Sequence, residues 1–247
     1  MSMILYETKA LVQAILGAAA LLGMINDLSL SVTDYTTDPP TTNTARLSWA
    51  TSLFYFGMLV GLYPMTYALQ YFRPGRLLGC TVLVWALLCM STAAISSYKG
   101  LYIQRFLLGL VESIIPTGFM GIVSGFYTQS EQSLRQSLWF SSSASWVIIG
   151  AALNYGFAQI QNGRLHSWQY IYLLAGALTA VFGIFCFFLP DSPVMAWFLT
   201  PDERFAAVER LRMDQSGVRC PHFKWYQMRE AMLDVKVWLL ALAMASA

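Results

Sequence analysis

The sequence has little charge, and this lack excludes most classes of soluble protein. Asp, Glu, Lys and Arg make up 11% of the 247 residues, and hydrophobic residues make up 57%. A typical soluble domain has ~25% charged residues. The net charge of +2 is small and no block of like charges occurs, so no nucleic-acid partner is expected. The composition therefore indicates a protein that is embedded in a lipid bilayer.

The sequence also lacks the residue clusters that disulfides, metal sites and enzymes need. Cys80 and Cys89 are nine residues apart on one predicted helix, roughly 13.5 Å, which is too far for a disulfide. Cys220 and His222 share a predicted loop, but two ligands are too few for a four-ligand zinc site. No nucleophile elbow or glycine-rich phosphate loop occurs. We therefore expect no metal, no cofactor and no enzymatic activity.

Six long apolar stretches precede residue 190, and each is about long enough to cross a bilayer. Four of them carry no charged residue: residues 47–72, 77–98, 136–163 and 165–190. The other two, residues 10–26 and 101–127, are equally apolar but hold or adjoin Asp27, Arg105 and Glu112. Because a membrane-spanning helix needs ~20 apolar residues, the pattern predicts an all-α membrane protein. We expect a six-helix transmembrane bundle over residues 1–190.

The first apolar stretch has an alternative interpretation as a cleaved signal peptide. Glu7 and Lys9 make a poor basic n-region, and the apolar run is long for a signal sequence. We therefore interpret this stretch as a retained first helix.

Charged residues are concentrated after the sixth stretch. Residues 191–236 hold seven acidic and seven basic residues, which is half of all the charges in the chain. Within this segment, Thr200 followed by Pro201 and two acids is typical of a helix N-terminus. We predict a cytoplasmic loop between membrane halves over residues 191–236. The apolar residues 237–247 predict the start of a seventh transmembrane helix that is truncated.

The distribution of Lys and Arg favours a cytoplasmic N-terminus. In that orientation eleven positive residues lie on the cytoplasmic side, against Arg46, Lys99 and Arg164 outside. If the long loop is left out, four positive residues lie on the cytoplasmic side and three lie outside.

Two stripes of small, polar or ionisable residues mark the candidate functional site. Residues at helical spacing are Gln13, Gly17, Ala20, Met24 and Asp27 in the first span, and Arg105, Gly109, Glu112 and Pro116 in the fourth. Exposing each charge to lipid would cost about 2.5 to 3.5 kcal/mol, so the stripes should face each other or a shared aqueous cavity. A structural ion pair that joins helices is the alternative. We favour a functional site because three ionisable groups lie in or beside the membrane.

Other small and aromatic residues are typical of helix packing and anchoring. Gly57 and Gly61 form a close-approach motif, and Gly118, Gly121 and Gly125 form another. Trp168 is similarly expected to anchor its helix or contact a neighbouring one.

Several motifs carry a family resemblance. They are Ser48-Trp49, Phe54-Tyr55-Phe56-Gly57 and Tyr63-Pro64 in the second span, Arg105 to Gly109, Glu112 and Pro116-Thr117-Gly118-Phe119 in the fourth, and Trp168 to Tyr172, Pro190-Asp191-Ser192-Pro193 and Phe223-Lys224-Trp225-Tyr226-Gln227 later. As a set they resemble the N-terminal half of a major facilitator superfamily transporter. Within that superfamily they are similar to the fungal anion:cation symporter group that includes allantoate permease. In one departure, Phe72 stands where the superfamily signature has Asp before Gly75 and Arg76.

The resemblance implies a symporter of the plasma membrane that moves a small organic anion, a carboxylate, together with a proton. Arg105 would be the anion or counter-ion site, and Glu112 or Asp27 the proton carrier. The second six-helix half is missing from the sequence, so we expect a chain truncated to its N-terminal half. Two alternatives are an inactive relic or incomplete gene model, and a non-transporting assembly partner that associates with itself or with a separate second half.

Overall fold

Long helices account for most of the chain. The computed structural model describes residues 17, 19–34, 41–159, 165–188, 190–197, 199–213 and 224–246. In chain order its elements are a π-helical turn Ala20–Met24, α1 Ile25–Asp27, β1 Val32–Asp34, β2 Thr41–Asn43, α2 Ala45–Tyr71, α3 Pro74–Ser91, α4 Tyr98–Glu112, α5 Ile114–Phe126, α6 Gln129–Ala158, α7 Ser167–Cys186, α8 Pro201–Met213, α9 Trp225–Leu233 and α10 Val235–Ser246. Short 3-10 turns at Thr92–Ala94 and Pro193–Met195 follow α3 and α7.

Four helical segments are long and apolar enough to cross a bilayer. They are Ala45–Tyr71, Pro74–Ala94, Tyr98–Phe126 and Ser167–Cys186, and they match the second, third, fourth and sixth predicted spans. In the place of the fifth, α6 is a 30-residue helix whose strongly apolar part is Val147–Ala158, because serines dilute its first half. The first predicted span lies largely outside the described residues. A bundle with several membrane-crossing helices is therefore confirmed, whereas the count of six stays a prediction.

Two helix pairs form the core of the bundle. α2 packs along α4 and α5, and α3 packs along α7. Contacts of α3 with α4 and α5 join the two pairs, while α6 and the π-helical turn pack against α7. The larger cluster of buried side chains includes Trp85 of α3, Leu101 and Leu108 of α4, and Trp168 and Tyr172 of α7. The middle of the core is therefore shared by α3, α4 and α7.

Glycines let α2 and α4 approach at backbone distance. A side chain at Gly57 would collide with the backbone carbonyl of Phe106, and one at Gly109 would collide with the carbonyl of Phe54. Gly61 lies against the same helix. The predicted packing role of Gly57 and Gly61 is confirmed.

The second glycine motif lies on α5 and divides into two parts. Gly118 packs on Leu78 of α3, as predicted, whereas Gly121 and Gly125 have none of the described atoms within 4 Å of where a Cβ would lie. These two glycines line a cleft of about 460 Å³, so the packing prediction is wrong for them in the described structure.

The helix connections gather at two opposite ends of the bundle. The first, which we call the Asp27 end, holds Asp27, the start of α2 and the start of α7. The second, which we call the Arg73 end, holds the α2–α3 turn at Arg73, the α5–α6 turn and the residues after α7. At the Arg73 end, the Asp191 carboxylate accepts a 2.8 Å hydrogen bond from the Gly75 backbone N–H at the start of α3.

The polar segments contain regular structure of their own. β1 and β2 pair antiparallel before the start of α2, with Thr33 opposite Thr42. The predicted cytoplasmic loop holds α8, which begins at Pro201 directly after Thr200, as expected. α10 begins at Val235, two residues before the predicted start of a seventh helix. The boundaries of the three predicted chain regions stay predictions.

Candidate functional site

Arg105 is buried on the side of α4 that meets α7. Only 4% of the residue is exposed. Its Nη2 donates a 2.6 Å hydrogen bond to the hydroxyl of Tyr172, and its guanidinium carbon lies 5.9 Å from the centre of the Tyr172 ring. α7 therefore supplies both a hydrogen-bond acceptor and an aromatic ring face to this permanent cation.

Asp27 lies at the end of α1 and contacts the first turn of α7. Trp168 Nε1 donates a 2.8 Å hydrogen bond to Asp27 Oδ2, and the same oxygen lies 3.4 Å from His166 Nδ1. The Asp27 side chain is 31% exposed, so this carboxylate is in contact with solvent at the Asp27 end of the bundle.

One face of α7 connects Asp27 with Arg105. Trp168 and Tyr172 are one helical turn apart, and their rings meet edge to face with centroids 6.2 Å apart. Asp27 and Arg105 themselves form no ion pair within 4 Å; each binds α7 instead. The predicted direct meeting of the two charged stripes is therefore not seen among the described residues.

The reason lies in the segment before Asp27. Residues 20–24 form a π-helical turn in which Leu22 and Gly23 leave helical backbone angles, and Gly23 has φ of +99°. Glycine adopts this conformation readily because it has no Cβ. The predicted face from Gly17 to Asp27 is thus not continuous on an α-helix, and Gln13 lies outside the described residues.

Glu112 lies deeper in the bundle than Arg105. It is the last residue of α4 and the fifteenth of the 29 residues in the span Tyr98–Phe126. It is fully buried, about 10.5 Å along the helix from Arg105. Arg105 and Glu112 are seven residues apart on α4, about two helical turns, so both lie on one side of the same buried span.

Further polar groups tie α3, α4 and α7 together in this region. Gln104 Nε2 donates a 3.1 Å hydrogen bond to the Leu88 carbonyl, and the Cys89 thiol lies 3.9 Å from the Tyr172 carbonyl. Arg105 Nε, Gln104 Oε1 and Trp85 Nε1 have no hydrogen-bond partner among the described residues. Buried polar atoms of this kind are usually satisfied by water or a ligand. We call Cys89, Gln104, Arg105, Glu112 and Tyr172 the buried polar region.

The described residues offer no candidate metal centre. They contain no group of three or more His, Cys, Asp or Glu side chains that could hold an ion. Cys220 and His222 lie outside the described part of the chain.

Comparison with known proteins decides the family. The model of the Major Facilitator Superfamily matches residues 8–247. This chain belongs to the major facilitator superfamily. The resemblance found in the sequence is thereby confirmed, and the chain is a multi-pass membrane protein.

Three fungal relatives show how much of such a protein the chain covers. A transporter of Schizosaccharomyces pombe is 36% identical over 78% of this chain, and the thiamine pathway transporter of Saccharomyces cerevisiae is 35% identical over 73%. The allantoate permease of Saccharomyces cerevisiae is 30% identical over 96% of this chain. The matches cover 38%, 35% and 42% of these relatives, so the chain spans about two fifths of their length. All three are named as transporters or permeases, and the prediction that this superfamily member is not an enzyme is confirmed.

Sequence reasoning missed four polar residues around the predicted site. Tyr172 contacts Arg105, and His166 contacts Asp27. The other two are Cys89 and Gln104, which complete the buried polar region. The available signal was spacing, because Trp168 and Tyr172 share one face of a helix that carries no charge of its own.

Proposed function

We propose that this major facilitator chain is the N-terminal half of a plasma-membrane transporter that moves a small organic anion together with a proton. One observation carries the proposal: a permanent cation, Arg105, and a carboxyl group, Glu112, are both buried in the same membrane-spanning segment. Ionisable groups at such depth are costly and usually serve transport or proton transfer. The name of one relative, allantoate permease, supports a carboxylate as the substrate class.

Arg105 serves as a counter-ion in this scheme. Its 4% exposure and its hydrogen bond to Tyr172 leave no open path for an anion to reach it in the described conformation. A movement of α7, which carries Tyr172, would uncover it. The charge of Arg105 then stabilises a bound anion or a neighbouring deprotonated carboxyl group.

Two carboxyl groups at different depths suit a proton route. Asp27 is in contact with water at the Asp27 end, which the distribution of positive residues predicts to be the outer one. Glu112 lies at mid-span without solvent contact. Protons enter at Asp27, and protonation of Glu112 neutralises a charge that is costly at that depth.

Uptake by the purified chain in proteoliposomes tests the proton role. With an imposed pH gradient, labelled allantoate and a panel of small carboxylates are offered while a trapped dye reports internal pH. We expect coupled uptake by the wild type and its loss in Glu112→Gln. The control Glu230→Gln makes the same chemical change at an exposed residue and should keep uptake. Unchanged coupling in Glu112→Gln would reject the proton role of Glu112, and no uptake of any carboxylate by the wild type would overturn transport by this chain.

The same assay tests the counter-ion. Arg105→Lys keeps a positive charge, whereas Arg105→Ala leaves the site without one. We expect Arg105→Ala to lose more uptake than Arg105→Lys, and equal, intact uptake in both variants would remove the proposed role.

The oligomeric state of the chain is measured on the same sample. Inactive wild-type protein that runs as a monomer in mild detergent would favour a chain that needs a separate second half. A stable dimer without uptake would instead favour the assembly partner.

A further inference from the structure

α9 carries large apolar side chains that no other part of the described structure covers. All described residues from 224 to 243 are exposed. Trp225 and Tyr226 at the start of α9, and Met232 and Leu233 at its end, are each between 61% and 71% exposed. An exposed apolar surface on a helix usually marks an interaction site, because contact with water is unfavourable for it.

The apolar side chains of α9 are concentrated on one side of the helix. Trp225, Met228 and Met232 follow one another at steps of three and four residues, which is the spacing of a single helix face. Gln227 and Glu230 are three residues apart and occupy the opposite face. α9 is therefore an amphipathic helix with one apolar and one polar face.

The junction with α10 fixes where the end of α9 lies. Asp234 ends α9 in an extended conformation, and its Oδ1 accepts a 2.9 Å hydrogen bond from the Lys236 backbone N–H at the start of α10. The Trp238 indole N–H donates at 2.8 Å to the Met232 carbonyl in the last turn of α9. α10 is apolar and is the predicted start of a membrane span. The end of α9 is thus tied to the point at which the chain is expected to enter the bilayer.

The surface of a bilayer suits both faces of α9. The helix cannot continue into the hydrocarbon, because Arg229, Glu230 and Asp234 would be costly there. If α9 extended into water, its apolar face would remain exposed to solvent. At the bilayer surface the apolar face contacts lipid while the polar face stays in water. Trp225 and Tyr226 are of the residue types that are enriched at this level.

Arg229 adds a charge that is complementary to phospholipid. It lies four residues from both Trp225 and Leu233, so it belongs to the apolar side of α9. Among the described residues Arg229 has no ion-pair partner. A long arginine side chain can bury its stem along apolar surface while the guanidinium binds phosphate with two N–H donors. Arg229 is therefore placed to bind the phosphate groups of lipids around α9.

We propose that α9 is an interfacial helix that lies along the surface of the phospholipid bilayer, with Trp225, Met228 and Met232 among the lipids and Arg229 bound to lipid phosphates. The helix lies on the side of the Arg73 end, because α8, which is described between α7 and α9, is too short and too polar to cross the membrane. That side is predicted to be cytoplasmic, where anionic lipids attract Lys and Arg. α9 thereby anchors the segment between the sixth and seventh predicted spans to the membrane.

Spin labels on the full chain in phospholipid vesicles measure this position. In a chain with Cys80 and Cys220 replaced by serine, a nitroxide is attached to one new cysteine of α9 at a time. Collisions of the nitroxide with oxygen, which concentrates in lipid, report contact with the bilayer. Collisions with a water-soluble nickel chelate report contact with water. The measurement needs no uptake, so its outcome is independent of the proposed transport.

The two faces of α9 should give opposite results. We expect labels at Met228→Cys and Met232→Cys to collide mainly with oxygen, and labels at Gln227→Cys and Glu230→Cys to collide mainly with nickel. Nickel collisions at all four positions would place α9 in water and overturn the inference. Oxygen collisions at all four would place the whole helix inside the bilayer, which also overturns it. Loss of both kinds of collision on the apolar face would show that protein, such as a second copy of the chain, covers it instead of lipid.

Variants of Arg229 test the contact with phosphate. Arg229→Gln should shift a label at Met232→Cys towards water, which raises its collisions with nickel. Arg229→Lys keeps a cation on a long apolar stem and should retain most of the contact with lipid. Glu230→Gln is the matched control, because it changes a charge on the polar face and should leave the label in place. Unchanged collisions in Arg229→Gln would overturn the phosphate contact.

Discussion

Tyr172 accounts for how Arg105 is tolerated inside the bundle. A guanidinium that is 4% exposed needs partners from the protein, because an unpaired buried charge costs several kcal/mol. The 2.6 Å hydrogen bond to the Tyr172 hydroxyl is of the charge-assisted kind worth ~1.5–3 kcal/mol, and the ring face adds a cation–π contact. These contacts are also consistent with a purely structural role, in which Arg105 holds α4 against α7. Only a measurement of uptake separates it from a counter-ion role.

A second residue, Glu203, gives a prediction about pH. The Glu203 carboxylate accepts two hydrogen bonds from Thr200, one from its backbone N–H and one from its hydroxyl, both at 2.9 Å. These bonds lower the pKa of Glu203 below its ordinary value, and the backbone N–H has the larger effect. Because the folded-state pKa is the lower one, these bonds stabilise the start of α8 above the ordinary carboxyl pKa. The stabilisation is lost as the pH falls through the folded-state value. We predict that Thr200→Val raises the NMR titration midpoint of Glu203, whereas Thr200→Ser keeps both donors and the wild-type midpoint. An identical midpoint in all three proteins would contradict this account.

Between elements, the glycine contact of α2 with α4 gives the clearest prediction. Gly57→Ala places a methyl group against the Phe106 carbonyl, so the helices must separate, and we expect a loss of about 1–3 kcal/mol. Gly121→Ala, in open space on α5, should instead gain about 0.5–1 kcal/mol from reduced backbone entropy of the unfolded chain. Thermal unfolding in mild detergent measures both. Equal melting temperatures for the two variants would show that the close approach does not contribute to stability.

The sequence predicts elements well where one physical force dominates. The spans that became α2, α3 and α7 follow from the absence of charge, because lipid excludes ionised side chains over ~20 residues. The span of α4 with α5 follows from its apolar length, although it holds Arg105 and Glu112. The break at Gly23 could not be foreseen, since a single glycine is also common inside regular membrane helices. Gly121 and Gly125 could not be predicted for a similar reason. Small residues indicate where two helices can come close, but whether they do depends on the position of the neighbouring helix.

In the candidate site, the sequence predicts which charged residues are buried but not which side chains contact them. The cost of charge in lipid predicts that Arg105 and Glu112 are sheltered, and both are buried. The same cost does not specify the partner, because a tyrosine hydroxyl, a carboxylate or water can each satisfy a guanidinium. Tyr172 therefore emerged only when the fold brought α7 against α4.

At the scale of the whole molecule, polar contacts attach the segment after α7 to the Arg73 end. Asp191 binds the start of α3, and Arg210 of α8 lies 3.3 Å from Glu131 at the start of α6. The second pair is half exposed and is worth only ~0–1 kcal/mol. Together these contacts place the segment after α7 beneath the same end of the bundle that carries Arg73 and Arg76.

The two ends differ in positive charge, and this difference predicts the orientation in the membrane. Among the described residues, the Arg73 end carries Arg73, Arg76, Arg135, Arg204, Arg210 and Arg212, whereas the Asp27 end carries Arg46 and Lys99. Because cytoplasmic loops are enriched in Lys and Arg, the Asp27 end should face outward.

Cysteine labelling in intact cells tests this orientation. In a background with Cys80 and Cys220 replaced by serine, Ser97→Cys between α3 and α4 should react with a membrane-impermeant maleimide added outside. Phe72→Cys in the α2–α3 turn, which is also exposed, should react only after the membrane is permeabilised. The reversed pattern would place Asp27 and His166 on the cytoplasmic side and so reverse the direction of the proposed proton entry. Labelling of both positions from outside would contradict a bundle that spans the membrane, because α3 separates the two sites by about 30 Å of helix.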